Sequence, residues 1–150
     1  MTKCLLSIAG GLYCLVTMTA QAKDIYVLPD YYVEGSFQFA AAHMISNICP
    51  KIQVKKGSAD LFKTSLSGRL KEDNILPPNV KESDQRVKLS LVMDKRFVGR
   101  MVSLLEKYSI DPNEKADVRL PEVYEKFCVM GTGEISNQTN IGNLIEASGE

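Results

Sequence analysis

Four cysteines occur in this chain of 150 residues, and two of them, Cys4 and Cys14, fall inside an N-terminal run that reads as an export leader. Lys3 precedes an apolar stretch over residues 4–18, and Ala20-Gln21-Ala22 has the small-x-small pattern of a signal-peptidase site. The stretch is interrupted by Ser7, Gly10 and Gly11 and is shorter than the roughly 20 residues that span a bilayer, so cleavage after Ala22 is expected rather than a retained anchor. Neither leader cysteine follows the small residues that lipidation needs. The two cysteines left, Cys49 and Cys128, are an even number in an oxidising compartment and predict one disulfide. Such a link closes a loop of about 80 residues, contributing roughly 4.5 kcal/mol in the chain-entropy picture, comparable to the net stability of a small domain. The fold must therefore bring positions 49 and 128 together. A reactive thiol served by His43 is the alternative, and it lacks a positioned base.

Around these cysteines the apolar residues recur mainly with helical period. Residues 23–35, KDIYVLPDYYVEG, carry a turn signal at Pro29-Asp30 and predict an extended, tyrosine-rich arm, lying over the helices or open to strand augmentation by a partner. Ser36 is the expected N-cap of a first helix with Phe37, Ala41, Met44, Ile45 and Ile48 on one face, Phe39 and His43 pointing away, and Pro50 ending it. A basic connector, 51–56, leads to a second helix capped by Ser58, with Leu61, Phe62, Leu66 and Leu70 inward and its end before Asp73-Asn74. Pro77-Pro78 imposes a loop.

Residues 84–109 place Val87, Leu91, Val98, Met101, Leu105 and Tyr108 on one face and Arg96, Arg100 and Lys107 on the other. Asp94 would fall in the apolar stripe, so a break is expected near Met93-Asp94, with Asp94 capping a new helix from Lys95. Asp111-Pro112 starts a short turn reaching about residue 118. Pro121 opens the next helix, with Val123, Tyr124, Phe127, Met130 and Ile135 inward and Cys128 beside them. Gly131 and Gly133 each lower its propensity by roughly 1 kcal/mol relative to alanine, which predicts tight contacts there or an early end. A last short helix over 140–147 presents Ile141, Leu144 and Ile145. The expected fold is all-α: a small disulfide-linked bundle of about five helices with an extended N-terminal arm, divided into a leader (1–22), an arm (23–35) and one helical domain (36–150).

Eighteen basic residues balance eighteen acidic ones, which points away from a nucleic-acid partner. The distribution is uneven: residues 51–110 carry 13 Lys/Arg against 7 Asp/Glu, and residues 111–150 carry 3 against 8. The plain reading is solvated charge at helix seams; the sharper one is a basic face at Arg96, Arg100 and Lys107 for an anionic envelope component or an envelope protein of acidic character. One histidine cannot build a multi-histidine zinc site, and neither a metal nor a cofactor is expected. Gly131-Thr132-Gly133 lacks the remainder of a phosphate loop, and no haem, zinc-protease or serine-hydrolase motif occurs. Asn137-Gln138-Thr139 matches a glycosylation sequon, relevant only in a host that glycosylates exported proteins. Glu122, Glu125 and Glu134 are the candidate carboxylates for glycosidase chemistry, which requires two of them in environments that separate their pKa values.

The segment FCVMGTGEISNQTNIGNLI, with Cys128, Gly131, Glu134, Ile135, Ile141, Gly142, Leu144 and Ile145, resembles the ending of a family of small exported alphaproteobacterial proteins of unknown function, and Ile48-Cys49-Pro50 resembles that family's first cysteine helix. The resemblance covers about residues 36–147 and is specific at the two cysteine segments; the Pro77-Pro78 loop and the basic central helix depart from it. It implies a small, disulfide-linked, helical periplasmic domain and supplies no catalytic residues. The functional expectation is a periplasmic or secreted, non-enzymatic binding or interaction domain with no membrane span after leader removal. The alternatives are a small cell-envelope hydrolase using carboxylates and a periplasmic stress chaperone.

Overall fold

The computed structural model describes residues 26–75, 85–111 and 121–149; the leader, the Pro77-Pro78 loop and the turn at 112–118 lie outside them. The described residues form five α-helices, α1 (Asp30–Ile48), α2 (Lys56–Glu72), α3 (Gln85–Met93), α4 (Lys95–Lys107) and α5 (Pro121–Ser136). Two short strands, β1 (Ile52–Val54) and β2 (Ile145–Ala147), and a 3₁₀ turn at Gly142–Leu144 complete the described elements. None of these helices is long and apolar enough to cross a membrane.

The fold is organised around α1, which packs against α2, α4, α5 and β1. Its Phe37, Ala41, Ala42 and Ile45, with Cys49 just beyond, meet Leu104 of α4, Phe127 and Met130 of α5, and Ile141, Leu144 and Ile145 near the C-terminal end. Ile45, Met130 and Ile145 have no solvent exposure, and burying each contributes about 1.5–3 kcal/mol relative to leaving it in water. A second cluster joins Leu28, Tyr32 and Val33 to Leu70 of α2 and Val87 of α3. The disulfide forms as expected, with the Cys49 and Cys128 Cα atoms 5.1 Å apart, and fastens the end of α1 to the middle of α5.

The extended arm is shorter than its sequence predicts. Helix α1 starts at Asp30, not after Ser36; Pro29 occupies its N-cap, and its carbonyl accepts from Tyr32 N at 3.0 Å and Val33 N at 3.1 Å. Tyr32 and Val33 are buried against Leu70 and Val87, so tertiary packing extends the helix through residues that read as turn and arm. Asp30 in the first turn suits the positive end of the helix. Of the arm's described residues, only 26–29 lie outside the helix, tied by a bond from Tyr26 N to Ser90 Oγ of 2.9 Å.

Helix α2 begins at Lys56, and the residue before it, Lys55, makes no side-chain cap, so Ser58 is not the cap. Its buried positions are Ala59, Ser67 and Leu70; Leu61, expected inward, is 74% exposed because the face that α1 covers lies elsewhere on the helix. Ser67 is tolerated inside because its hydroxyl donates to the Lys63 carbonyl at 2.8 Å. Val98 and Tyr124 are likewise more exposed than their spacing implied.

The break at Asp94 is present. Its Oδ1 accepts from Arg96 N at 2.9 Å, the N-cap arrangement that satisfies an otherwise unpaired donor. Asp94→Ala is expected to destabilise the domain by about 1 kcal/mol, read as a lowered denaturant midpoint; an unchanged midpoint would refute the cap's contribution.

The C-terminal end corrects the expectation of a last helix over 140–147. After the 3₁₀ turn the chain extends as β2, antiparallel to β1, with Ile52 opposite Ala147, Gln53 opposite Glu146 and Val54 opposite Ile145. Lys55 N to Leu144 O (2.9 Å) and Ser148 N to Lys51 O (2.8 Å) continue the ladder at both ends. The middle of the connector at 51–56, Ile52–Val54, is therefore strand. Gly131 explains how the ribbon fits: a Cβ there would lie 2.8 Å from Ile45 Cγ2 and 3.0 Å from Ile52 Cγ1, so the glycine lets α5, α1 and β1 meet. The tight contact expected at this position is the one found.

Candidate functional site

Helix α4 carries Arg96, Arg100, Ser103 and Lys107 at the i, i+4, i+7, i+11 spacing of one helix face. That face does not turn away from the bundle, as the sequence implies, but borders the seams with α1 and α5. Arg96 pairs with Asp30 of α1 and with Asp94, and its Nη2 donates to the Leu28 carbonyl at 2.7 Å. Arg100 Nη1 lies 2.5 Å from Glu34 Oε2, a charge contact off the hydrogen-bonding angle, while Glu34 Oε1 accepts from Gln38 Nε2 at 2.7 Å. Lys107 Nζ donates to Glu134 Oε1 at 2.9 Å. The basic helix thus faces acids from both ends of the described chain: Lys107 pairs with the acidic C-terminal part, whereas Arg96 and Arg100 meet the i, i+4 pair Asp30 and Glu34.

Along this seam runs an open groove of about 640 Å³. Its floor includes the buried side chains of Phe37, Leu104 and Ile141, and Lys95, Arg96, Arg100 and Lys107 stand around it. The side chains of Arg96, Arg100 and Lys107 are 44%, 49% and 54% exposed; Arg100 and Lys107 keep several donors toward solvent while holding their internal partners, whereas Arg96 has one of its five left. Gly99 and Ser103 leave the middle of the groove uncrowded; a Cβ on Gly99 would meet nothing within 4 Å. Lys95, Ser103 and Phe37 were not singled out from sequence as site residues, although Lys95 shares the helix with the chosen arginines.

At one end of the groove Glu134 is 2% exposed and fully engaged. Besides Lys107, its Oε1 accepts from Tyr108 Oη at 2.8 Å and its Oε2 from Thr139 Oγ1 at 2.6 Å. Burial alone would push the Glu134 carboxyl up, but the bonds from Thr139, Lys107 and Tyr108 together outweigh it and hold the group below the ordinary carboxylate range. The bond to Glu134 raises Lys107, against the opposing effect of burial, and burial followed by the Glu134 bond raises Tyr108. Glu134 is therefore ionised at neutral pH and unsuited to be a general acid. Glu122 and Glu125 are exposed, and the nearer is nine residues away along α5, about 13 Å of helix rise, beyond the carboxylate separations that hydrolyse glycosidic bonds. The structure does not bring the three carboxylates together.

A depressed folded-state pKa means that the network's contribution is present above the unfolded glutamate value and is lost as pH falls through the folded one. Thermal midpoints of the native protein should fall below pH 4.5, the ordinary glutamate value, more steeply than those of Glu134→Gln, because the amide does not titrate. Equal acid slopes would refute this. Asp94, held down first by its bonds from the Arg96 side chain against the effect of burial, leaves a residual slope in the variant.

His43 packs against Phe39 with ring centroids 4.4 Å apart and the rings tilted by 55°, and the Cys49 sulfur is committed to the disulfide, so no thiol and imidazole pair exists. Among the described residues no group of three or more His, Cys, Asp or Glu is placed to hold a metal ion. No protein-family model matches the chain, and no curated protein or solved structure does either.

Proposed function

We propose that this chain is a non-enzymatic binding domain of the periplasm, released from its leader at Ala22, and that it holds an anionic partner in the groove along α4. The observation that carries the reading is the groove itself, an apolar floor of Phe37, Leu104 and Ile141 rimmed by Lys95, Arg96, Arg100 and Lys107. Cations over an apolar surface favour a partner that brings both negative charge and apolar area. The disulfide fits an oxidising compartment. Glu134 is buried, ionised and remote from Glu122 and Glu125, which share an exposed helix face in water and so lack the differing environments that acid and base carboxylates need; this argues against the hydrolase alternative.

Amine-reactive cross-linking in intact periplasm, with mass-spectrometric mapping at low and physiological salt, tests the reading. Cross-links to an envelope component should concentrate on Lys95 and Lys107 and weaken as salt rises, because charge at an open surface is screened within about 10 Å. Cross-links scattered over the surface and indifferent to salt would overturn it, as would turnover of cell-wall fragments abolished by Glu→Gln changes. N-terminal sequencing of the recovered protein should begin at Lys23; retention of residues 1–22 would refute leader cleavage. Alanine at Arg96, Arg100 and Lys107 together is a poor probe, since it also strands Asp94, Glu34 and the buried Glu134.

A further inference from the structure

We propose, resting on the reading above, that the occupant of the groove is an acidic amphipathic helix of a partner protein, laid along α4 with carboxylates four residues apart. Three observations carry this. First, the groove is open to solvent, whereas sites for small ligands enclose most of the ligand's surface; a helix in a groove needs one covered face only. Second, Arg96, Arg100, Ser103 and Lys107 span about 16 Å at helical period, which matches acidic side chains recurring at i, i+4 on an opposing helix. Third, the chain already contains such a match: α1 presents Asp30 and Glu34, four apart, to Arg96 and Arg100, four apart.

Arg100 is about half exposed while it meets Glu34 alone, and a guanidinium has five donors, so it can take a second carboxylate without breaking the first; Arg96 gives four of its five donors to Asp94, Asp30 and the Leu28 carbonyl and keeps one. Lys95 makes no ion pair within the described residues, and it adds a cation at the groove's other end. The open space at Gly99 is where an apolar side chain of the incoming helix would approach Phe37 and Leu104. Opposite charge sets the register, and the apolar stripe between the carboxylates covers the floor.

The test uses the protein from Lys23 to its end and a fluorescent synthetic helix of about 18 residues, with glutamate at every fourth position and leucine on the adjoining stripe. A twin peptide carries glutamine for glutamate, and phosphatidylglycerol vesicles form a third arm. The glutamate peptide should bind at low salt, with the twin at least about tenfold weaker. Gly99→Glu and Lys95→Glu should each weaken the glutamate peptide by about tenfold or more. Both sites are exposed, and glutamate improves helix propensity over glycine at 99 and suits the first turn at 95; melting curves confirm that the variants fold. Equal binding of the two peptides, or no effect of either variant, overturns the proposal. Binding to vesicles but not to peptide also overturns it, leaving the anionic-partner reading in place with a lipid headgroup as ligand. Binding to none of the probes removes the helix proposal, and salt-insensitive cross-linking alongside it removes the broader reading too.

Discussion

Alanine at position 142 is expected to destabilise this domain by about 3 kcal/mol or more, an unusually large effect for the addition of one methyl group. A Cβ at Gly142 would lie 2.1 Å from the Glu134 carbonyl oxygen and 2.5 Å from its carbonyl carbon. The obstructing atoms are backbone, so no side-chain rotation relieves the contact, and either the 3₁₀ turn or the end of α5 has to move. Both movements are costly. Gly142 N donates to Thr139 Oγ1 at 3.0 Å, and that same hydroxyl serves the Glu134 carboxylate, so displacing the turn loosens the only buried charge among the described residues. Leu144 and Ile145, which follow immediately, leave the core with it. Gly68→Ala is the control: a Cβ in the middle of α2 meets nothing within 4 Å, and the exchange should be neutral or stabilising by up to about 1 kcal/mol. Denaturant unfolding of the two variants decides the matter. Equal midpoints for Gly142→Ala and the native protein would mean that the turn does not seat against α5 as described.

The second large effect concerns the disulfide. Replacing Cys49 and Cys128 together by alanine should cost about 2–5 kcal/mol, the range for removing a native link from a small disulfide-bonded domain. Cys49 has no solvent exposure, so alanine is preferable to serine, whose hydroxyl would be buried without an assured partner. The link spans 79 residues, a separation that greatly restricts the unfolded chain. Unfolding with and without reductant should show the same loss in the native protein, and no further loss in the double variant. A reductant-insensitive native midpoint would refute the contribution.

The particular residues show why some of this structure was legible in sequence and some was not. The break at Asp94 could be read because a carboxylate inside an apolar stripe has a local resolution, capping, that leaves the rest of the pattern intact. Pro121 and the small residue at Gly131 were similarly local signals. The start of α1 was not legible, since Pro29-Asp30 suits a turn as well as a helix beginning, and burial of Tyr32 and Val33 under Leu70 and Val87 decides between them. The ribbon was hidden for another reason: each strand is three residues long, too short to establish a period. For the site, sequence gave the cations but not their neighbours. Arg96, Arg100 and Lys107 share a helix face by spacing, yet their acids come from positions as distant as Asp30 and Glu134. The matching i, i+4 period of Asp30 with Glu34 and Arg96 with Arg100 was the one available sign of that pairing. Glu134 looked like a reactive carboxylate because its three donors, Lys107, Tyr108 and Thr139, converge only in three dimensions.

The pairing of β1 with β2 also bears on when the domain can become native during its synthesis. Helix α1 is among the first elements made, yet Ile52 waits for Ala147 and Val54 for Ile145, and the same late segment brings Ile141 and Leu144 onto the α1 core. A nascent chain halted after α5 would already contain both cysteines but not the residues that finish the core around them. Covalent closure can therefore precede native packing, and the segment that follows α5 acts as the latch that converts a linked but loose assembly into the folded domain.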